Sequence, residues 1–171
     1  MNTERTYNVL FLCTGNSARS ILAESLLTHW GRGRFRCFSA GSFPKGQVHP
    51  LALDLLKRMN LPWEGIRSKS WDEFASPEAP RLDFIFTVCD NAAGEVCPVW
   101  PGKPMTAHWG IPDPATVEGS DADKALAFRK ALKDLETRIK LFTELSPAAL
   151  DPMTLREKLS AIGKPTTASE A

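Results

Sequence analysis

Nowhere in the 171 residues do some 18 apolar side chains run together, and MNTERTYNVLFLC lacks a basic region leading into a long apolar stretch and a small-residue cleavage site. No membrane span or secretion signal is expected from this sequence, and a soluble, cytoplasmic protein is expected. Charge of one sign is also missing: the formal net charge is +1, with no long run of like charge. Nucleic acid and membrane surfaces are therefore not expected as partners, whereas a small anionic substrate is compatible with such a balance. There is no internal repeat, and a nucleotide-type Gly-Lys-Ser/Thr phosphate loop is absent. Tyr7 is the only tyrosine. Cysteine is scarce, with Cys13, Cys37, Cys89 and Cys97 alone. In a reducing compartment four such thiols point to catalysis, redox exchange or metal binding rather than a permanent framework.

The length fits one compact domain, residues 1–147, followed by an extension over residues 148–171. Tyr7 to Leu12 is almost wholly apolar, as a strand covered on both faces must be, and it leads through a turn into an amphipathic run beginning near Ile21. Phe35 to Ser42, Leu82 to Val88 and Pro104 to Trp109 are further strand candidates. Helical spacing marks Val48 to Met59 and roughly Asp121 to Leu145, where Ala125, Phe128, Leu132, Leu135, Ile139 and Phe142 form a stripe. A short helix is expected over Pro152 to Ile162, with a disordered tail from Lys164 to Ala171. Alternating strands and helices predict an α/β fold with an open four-stranded parallel sheet flanked by helices on both faces, flavodoxin-like in topology. Ligands of such sheets bind beyond the carboxyl ends of the strands, where Cys13, Cys89 and Asp113 fall.

Residues 13–20, CTGNSARS, join the first strand to the first helix. A loop that wraps its N–H groups around a concavity and then enters a helix forms an anion site, since those donors are unpaired and the helix dipole is positive there. Thr14, Gly15, Asn16, Ser17, Ala18, Arg19 and Ser20 are the candidate oxyanion-binding residues. Gly15 permits a tight turn, the side chains of Asn16, Ser17 and Ser20 can brace it, and Arg19 can grip two oxygens at once. The same field stabilises a thiolate, so Cys13 is expected to be nucleophilic at neutral pH, against the alternative of an inert thiol at a strand end.

C-x-G-N-x-x-R-S after a first strand resembles the catalytic loop of the low-molecular-weight protein tyrosine phosphatases and of the arsenate reductases that share their fold. The resemblance runs over roughly residues 7–145, through Ser39-Ala40-Gly41, Val88-Cys89-Asp90 and His108-Trp109-Gly110-Ile111-Pro112-Asp113-Pro114. In both branches it implies that Asp113 is a general acid, although Asp-Pro pairs also make simple turns. The phosphatases usually carry aromatic residues, often tyrosines, after this pair, whereas here Ala115-Thr116 follow. Two later cysteines, Cys89 and Cys97, resemble those of the thioredoxin-coupled reductases.

That resemblance implies a relay for arsenic detoxification. Cys13 attacks arsenate, Cys89 attacks the Cys13 adduct and releases arsenite, and Cys97 then takes over the disulfide for reduction by thioredoxin or by glutaredoxin with glutathione. On one intact helix, eight residues would separate Cys89 from Cys97 by about 12 Å, whereas a disulfide needs roughly 4.4–6.8 Å, so the segment CDNAAGEVC must loop. The interval is a residue longer than in the best-known thioredoxin-linked relatives, which keeps glutaredoxin as the alternative donor. Phosphate or sulfate would act as arsenate analogues. Phosphomonoester hydrolysis through a Cys13 phosphoenzyme is the runner-up, and a binding module without turnover is a third reading.

No cofactor is implied. The Cys89 and Cys97 spacing does not match a zinc site. Some relatives bind potassium beside the loop through asparagine, glutamate, serine and a more distant aspartate. Asn16, Glu24 and Ser39 match, but Ser70 stands at the aspartate position, so weak or no potassium binding is expected. Ala18 replaces a second loop cysteine found in many members. Cys37 is expected in the core, and His29 and His49 are read as surface or loop residues without a catalytic role.

Overall fold

The computed structural model describes residues 6–89 and 104–164. The elements are β1 (Tyr7–Leu12), α1 (Arg19–Gly31), β2 (Phe35–Ala40), α2 (Pro50–Arg58), β3 (Phe84–Thr87), β4 (Met105–His108), α3 (Asp121–Thr143) and α4 (Pro152–Gly163). Short 3-10 turns stand at Trp71–Phe74, Pro114–Thr116 and Pro147–Ala149. The four strands are parallel and ordered β2-β1-β3-β4, an open α/β sheet.

β1 lies inside the sheet, and four of its six residues, Val9, Leu10, Phe11 and Leu12, are buried, on both faces of the pleat. Phe11 pairs in register with Phe86 of β3, and these rings lie on the face covered by α3, where Phe142 meets Phe84 and Phe86 edge-on. Trp109, just beyond β4, stacks on Phe86 with ring centroids 3.8 Å apart and donates its indole N–H to Leu159 O of α4 at 2.9 Å. On the opposite face Leu10 and Ile85 are buried, and Phe38, in register with Leu10, meets Phe74 of the first 3-10 turn.

Helix ends follow local chemistry. Ser120 begins α3 through a capping box with Asp123, and Asp151 caps α4 by accepting the Thr154 N–H at 2.8 Å. α2 starts two residues later than its apolar spacing predicts, because His49 caps it and Pro50 takes the first helical position. β2 stops at Ala40 since Gly41 turns to bridge Ser70. The expected tail over residues 165–171 lies outside the described residues.

Candidate active site

The chain leaves β1 at Leu12, and the Cys13 N–H still bonds Ala40 O across the sheet. The loop then turns over the carboxyl ends of the strands. Its carbonyls are taken up from one side: Thr14 O, Gly15 O and Ser17 O accept the N–H groups of Phe43, Lys45 and His49, each at 2.9 Å. Asn16 sits at φ 45°, a left-handed conformation that asparagine tolerates. Its side chain is buried behind the loop, donating to Ser20 Oγ at 2.7 Å and accepting the Lys69 N–H at 2.8 Å. Gly41 is required where it stands, since a methyl there would lie 2.6 Å from Cys13 O and closer still to Thr14 O.

With the carbonyls held outside, the N–H groups line the inside: that of Asn16 reaches the Cys13 sulfur and that of Thr14 the Cys89 sulfur at 3.3 Å. The first turn of α1 has Ala18 at its N-cap and no side-chain cap, which leaves its donors for a ligand. Cys13, Thr14, Gly15, Ser17, Ala18 and Arg19 wall a cavity of about 190 Å³, with Phe43, Lys45 and Asp113 completing it. Asn16 and Ser20 brace this wall from behind rather than facing the cavity.

Arg19 donates to Ile111 O at 3.0 Å and lies 3.4 Å from Asp113 Oδ2. Its buried Nε has no hydrogen-bond partner among the described residues, an orphaned donor beside an anion-shaped cavity. Asp113 takes the turn role open to an Asp-Pro pair and also lies at the cavity wall. Oδ1 accepts the Ala115 N–H at 2.9 Å and starts the 3-10 turn, while Oδ2 pairs with Arg19 at the cavity wall.

Two of the predicted cysteines meet here. Cys13 and Cys89 are both buried, and their side chains are hydrogen-bonded to each other. Thr14 Oγ1 also lies 3.7 Å from the Cys89 sulfur. The Cys13 thiol is pushed up, first by its bond to Cys89, then by burial and by the charge of Cys89. Arg19 and the Asn16 N–H pull it down, as the sequence predicts, but they are outweighed. Two sulfurs in contact resist losing both protons, so Cys89 holds Cys13 as a thiol against the pull of Arg19 and the Asn16 N–H. Cys97 lies outside the described residues. Cys37 packs at the core margin away from the cavity, and burial pushes its thiol up to about 12.

Several supporting side chains have no signal in local spacing. Arg138 of α3 donates to Trp109 O at 2.8 Å and Gly110 O at 2.9 Å, holding the segment that carries Asp113. Lys45 and the exposed Phe43 stand at the cavity rim. His49, read from the sequence as a surface or loop residue, caps α2 by accepting the Leu51 N–H on Nδ1 at 3.1 Å and donates its backbone N–H to Ser17 O of the cavity loop.

The sequence profile of the low molecular weight phosphotyrosine protein phosphatases matches residues 8–152. An arsenate reductase of Halalkalibacterium halodurans is 35% identical over 140 residues, covering 80% of this chain and 94% of that protein. The crystal structure of an arsenate reductase from Archaeoglobus fulgidus superposes with a TM-score of 0.63 at 27% identity, over 80% of this chain and 99% of that one. A thioredoxin-dependent arsenate reductase of Corynebacterium glutamicum shares the fold, with a TM-score of 0.58 at 24% identity, over 81% of this chain but 61% of that one. The strand-to-helix anion loop, its cysteine and the facing Asp-Pro turn thus stand in a shared framework: the chain belongs to the low molecular weight phosphotyrosine protein phosphatase family, and its arsenate reductases are among its relatives.

Proposed function

We propose that the chain reduces arsenate to arsenite by a thiol relay. The observation that carries this reading is the contact between Cys13 and Cys89. Hydrolysis of a phosphoenzyme needs one thiol, an arginine and an acid, whereas a second thiol held against the nucleophile serves electron transfer.

The tetrahedral oxyanion sits in the cavity with its oxygens on the loop N–H groups and Arg19, whose Nε then gains a partner. As the arsenate dianion settles in the cradle it takes the Cys13 proton, and Arg19 with the Asn16 N–H stabilises the thiolate that forms. The Cys13 thiolate forms an S–As bond, an As–O bond breaks, and Asp113 protonates the departing hydroxyl as water. Cys89 then gives its proton to the Asp113 carboxylate left by that step, and its thiolate attacks the Cys13 sulfur. An S–S bond forms, the S–As electron pair goes to arsenic, and arsenic(V) leaves as arsenite. Cys97 next attacks Cys89, restoring the Cys13 thiolate and leaving a Cys89–Cys97 disulfide. An external dithiol, thioredoxin or glutaredoxin with glutathione, supplies the two electrons and takes that disulfide. The physiological role in this reading is arsenic detoxification in the cytoplasm, whose thiol poise keeps the four cysteines reduced.

The test is arsenite release with each donor, on the wild type and on Cys13→Ser, Cys89→Ser and Cys97→Ser. Loss in all three supports the relay. Full arsenate turnover by Cys89→Ser defeats it, and hydrolysis of a phosphomonoester that survives Cys89→Ser but not Cys13→Ser would favour the phosphatase reading.

A further inference from the structure

Behind the catalytic loop, on the side away from the cavity, Lys69 reaches inward between α1 and β2. Its Nζ donates to Ser39 O at 2.6 Å and lies 3.5 Å from Ser39 Oγ, and that hydroxyl donates to Glu24 Oε1 at 2.6 Å. A carbonyl and a hydroxyl thus meet one ammonium, and the hydroxyl joins it to the Glu24 carboxylate. The main chain of the same residue holds the loop: its N–H bonds Asn16 Oδ1, and its O accepts the N–H of Gly41, the residue packed against Cys13 and Thr14.

This oxygen set would suit a monovalent metal ion, and asparagine, glutamate and serine are the residues through which some relatives hold potassium. The arrangement here does not fit one. Asn16 Oδ1 is engaged by the Lys69 N–H, Ser39 O by the Lys69 ammonium, and Ser70 Oγ accepts the Asp72 N–H as the cap of the 3-10 turn. An ammonium carries the same single charge and brings directed donors, so a metal ion would have to displace a tethered competitor.

We propose that the Lys69 ammonium is the resident cation of this niche, a positioning group that neutralises Glu24 and holds Asn16 and Gly41 in register with the nucleophile, and that the chain takes no potassium there. Burial pushes Lys69 down and Glu24 up, and the charge of each opposes the other's shift. Either group left alone would be a poorly solvated charge. Arg67 and Glu73 flank the pair and are joined to each other through two hydrogen bonds, of 3.1 and 2.7 Å. The inference holds whichever oxyanion the loop takes.

The experiment measures thermal unfolding and phosphate affinity of the full chain in potassium, sodium and tetramethylammonium chloride at equal ionic strength. The wild type is expected to give the same Tm and the same Kd in all three. Lys69→Ala should unfold at lower temperature and bind phosphate about tenfold more weakly, the cost of one lost charge-assisted hydrogen bond, with partial rescue by potassium but not by tetramethylammonium. The double variant Glu24→Gln, Lys69→Met removes both charges together. It should fold and show no cation response, which keeps the test decisive if Lys69→Ala does not fold. A saturable rise of the wild-type Tm in potassium over tetramethylammonium would overturn the proposal, as would a Lys69→Ala protein with unchanged Tm and phosphate affinity. Neither readout involves arsenate turnover, so failure here is distinct from failure of the reductase reading.

Discussion

The Cys89 sulfur accepts the Thr14 N–H at 3.3 Å, so the second thiol rests on the backbone donor that opens the oxyanion loop. Cys89 thus does more than wait nearby. It is held against Cys13 by the loop that walls the cavity, and its hydrogen bond and charge raise the Cys13 thiol.

Removing that neighbour should free Cys13. In Cys89→Ala the main upward cause is gone, while Arg19 and the Asn16 N–H still pull down, so Cys13 ionises at lower pH. Alkylation by iodoacetamide at pH 7, followed by mass spectrometry at Cys13, should be faster than in the wild type. Each unit of decrease raises the thiolate fraction about tenfold while the pH stays below the pKa. Slower alkylation would mean that Cys89 activates rather than restrains Cys13.

Arg138 holds the segment leading to Asp113, the acid of the proposed mechanism, through the main-chain oxygens of Trp109 and Gly110. Asp113→Asn should lower the rate of the first chemical step by about 10²–10⁴. Arg138→Met should lower it by about 10- to 100-fold through misplacement of the acid. If Arg138 acts through Asp113, the double variant is no slower than Asp113→Asn alone. Rapid-quench measurement on all four forms of the cycle checks this, and fully additive losses would detach Arg138 from the acid.

Gly41→Ala places a methyl against Cys13 O and Thr14 O, both backbone atoms that cannot turn aside. The loop must shift, costing about 1–3 kcal/mol in a urea midpoint and weakening phosphate binding in parallel. This glycine was visible in the Ser39-Ala40-Gly41 motif, but the reason for it was not. Its neighbour in space is 27 or 28 positions away in the chain, where β1 and β2 run side by side in register.

His49 ties stability to pH near the site. Burial and Lys45 push its imidazole down, with Asp113 opposing, and the neutral Nδ1 accepts the Leu51 N–H. A histidine lowered in the folded state contributes stability fully present above its unfolded pKa of about 6.5 and lost as the pH falls through the folded value. Protonation also converts the capping acceptor into a donor. His49→Asn keeps a cap that does not titrate. The difference between wild-type and variant Tm should therefore shrink from pH 8 to pH 5, and a difference independent of pH would show that His49 does not titrate in this range.

Much of the framework can be read from neighbouring residues. A strand covered on both faces writes itself as an unbroken apolar run, so β1 was legible to the residue at Tyr7–Leu12, and the stripe of α3 at three- and four-residue spacing was equally plain. The cavity wall is just as local: Cys13, the turn and Arg19 occupy seven consecutive positions, and Asp113-Pro114 is a dipeptide. These the amino-acid order determined alone. What only the tertiary structure decided is which distant groups share that cradle. Thr14 and Cys89 are 75 positions apart, Asn16 and Lys69 are 53, and Arg138 holds carbonyls 28 and 29 positions back. Their meeting follows from the parallel order β2-β1-β3-β4, which carries the ends of all four strands to one side, and no periodicity along the chain encodes that convergence.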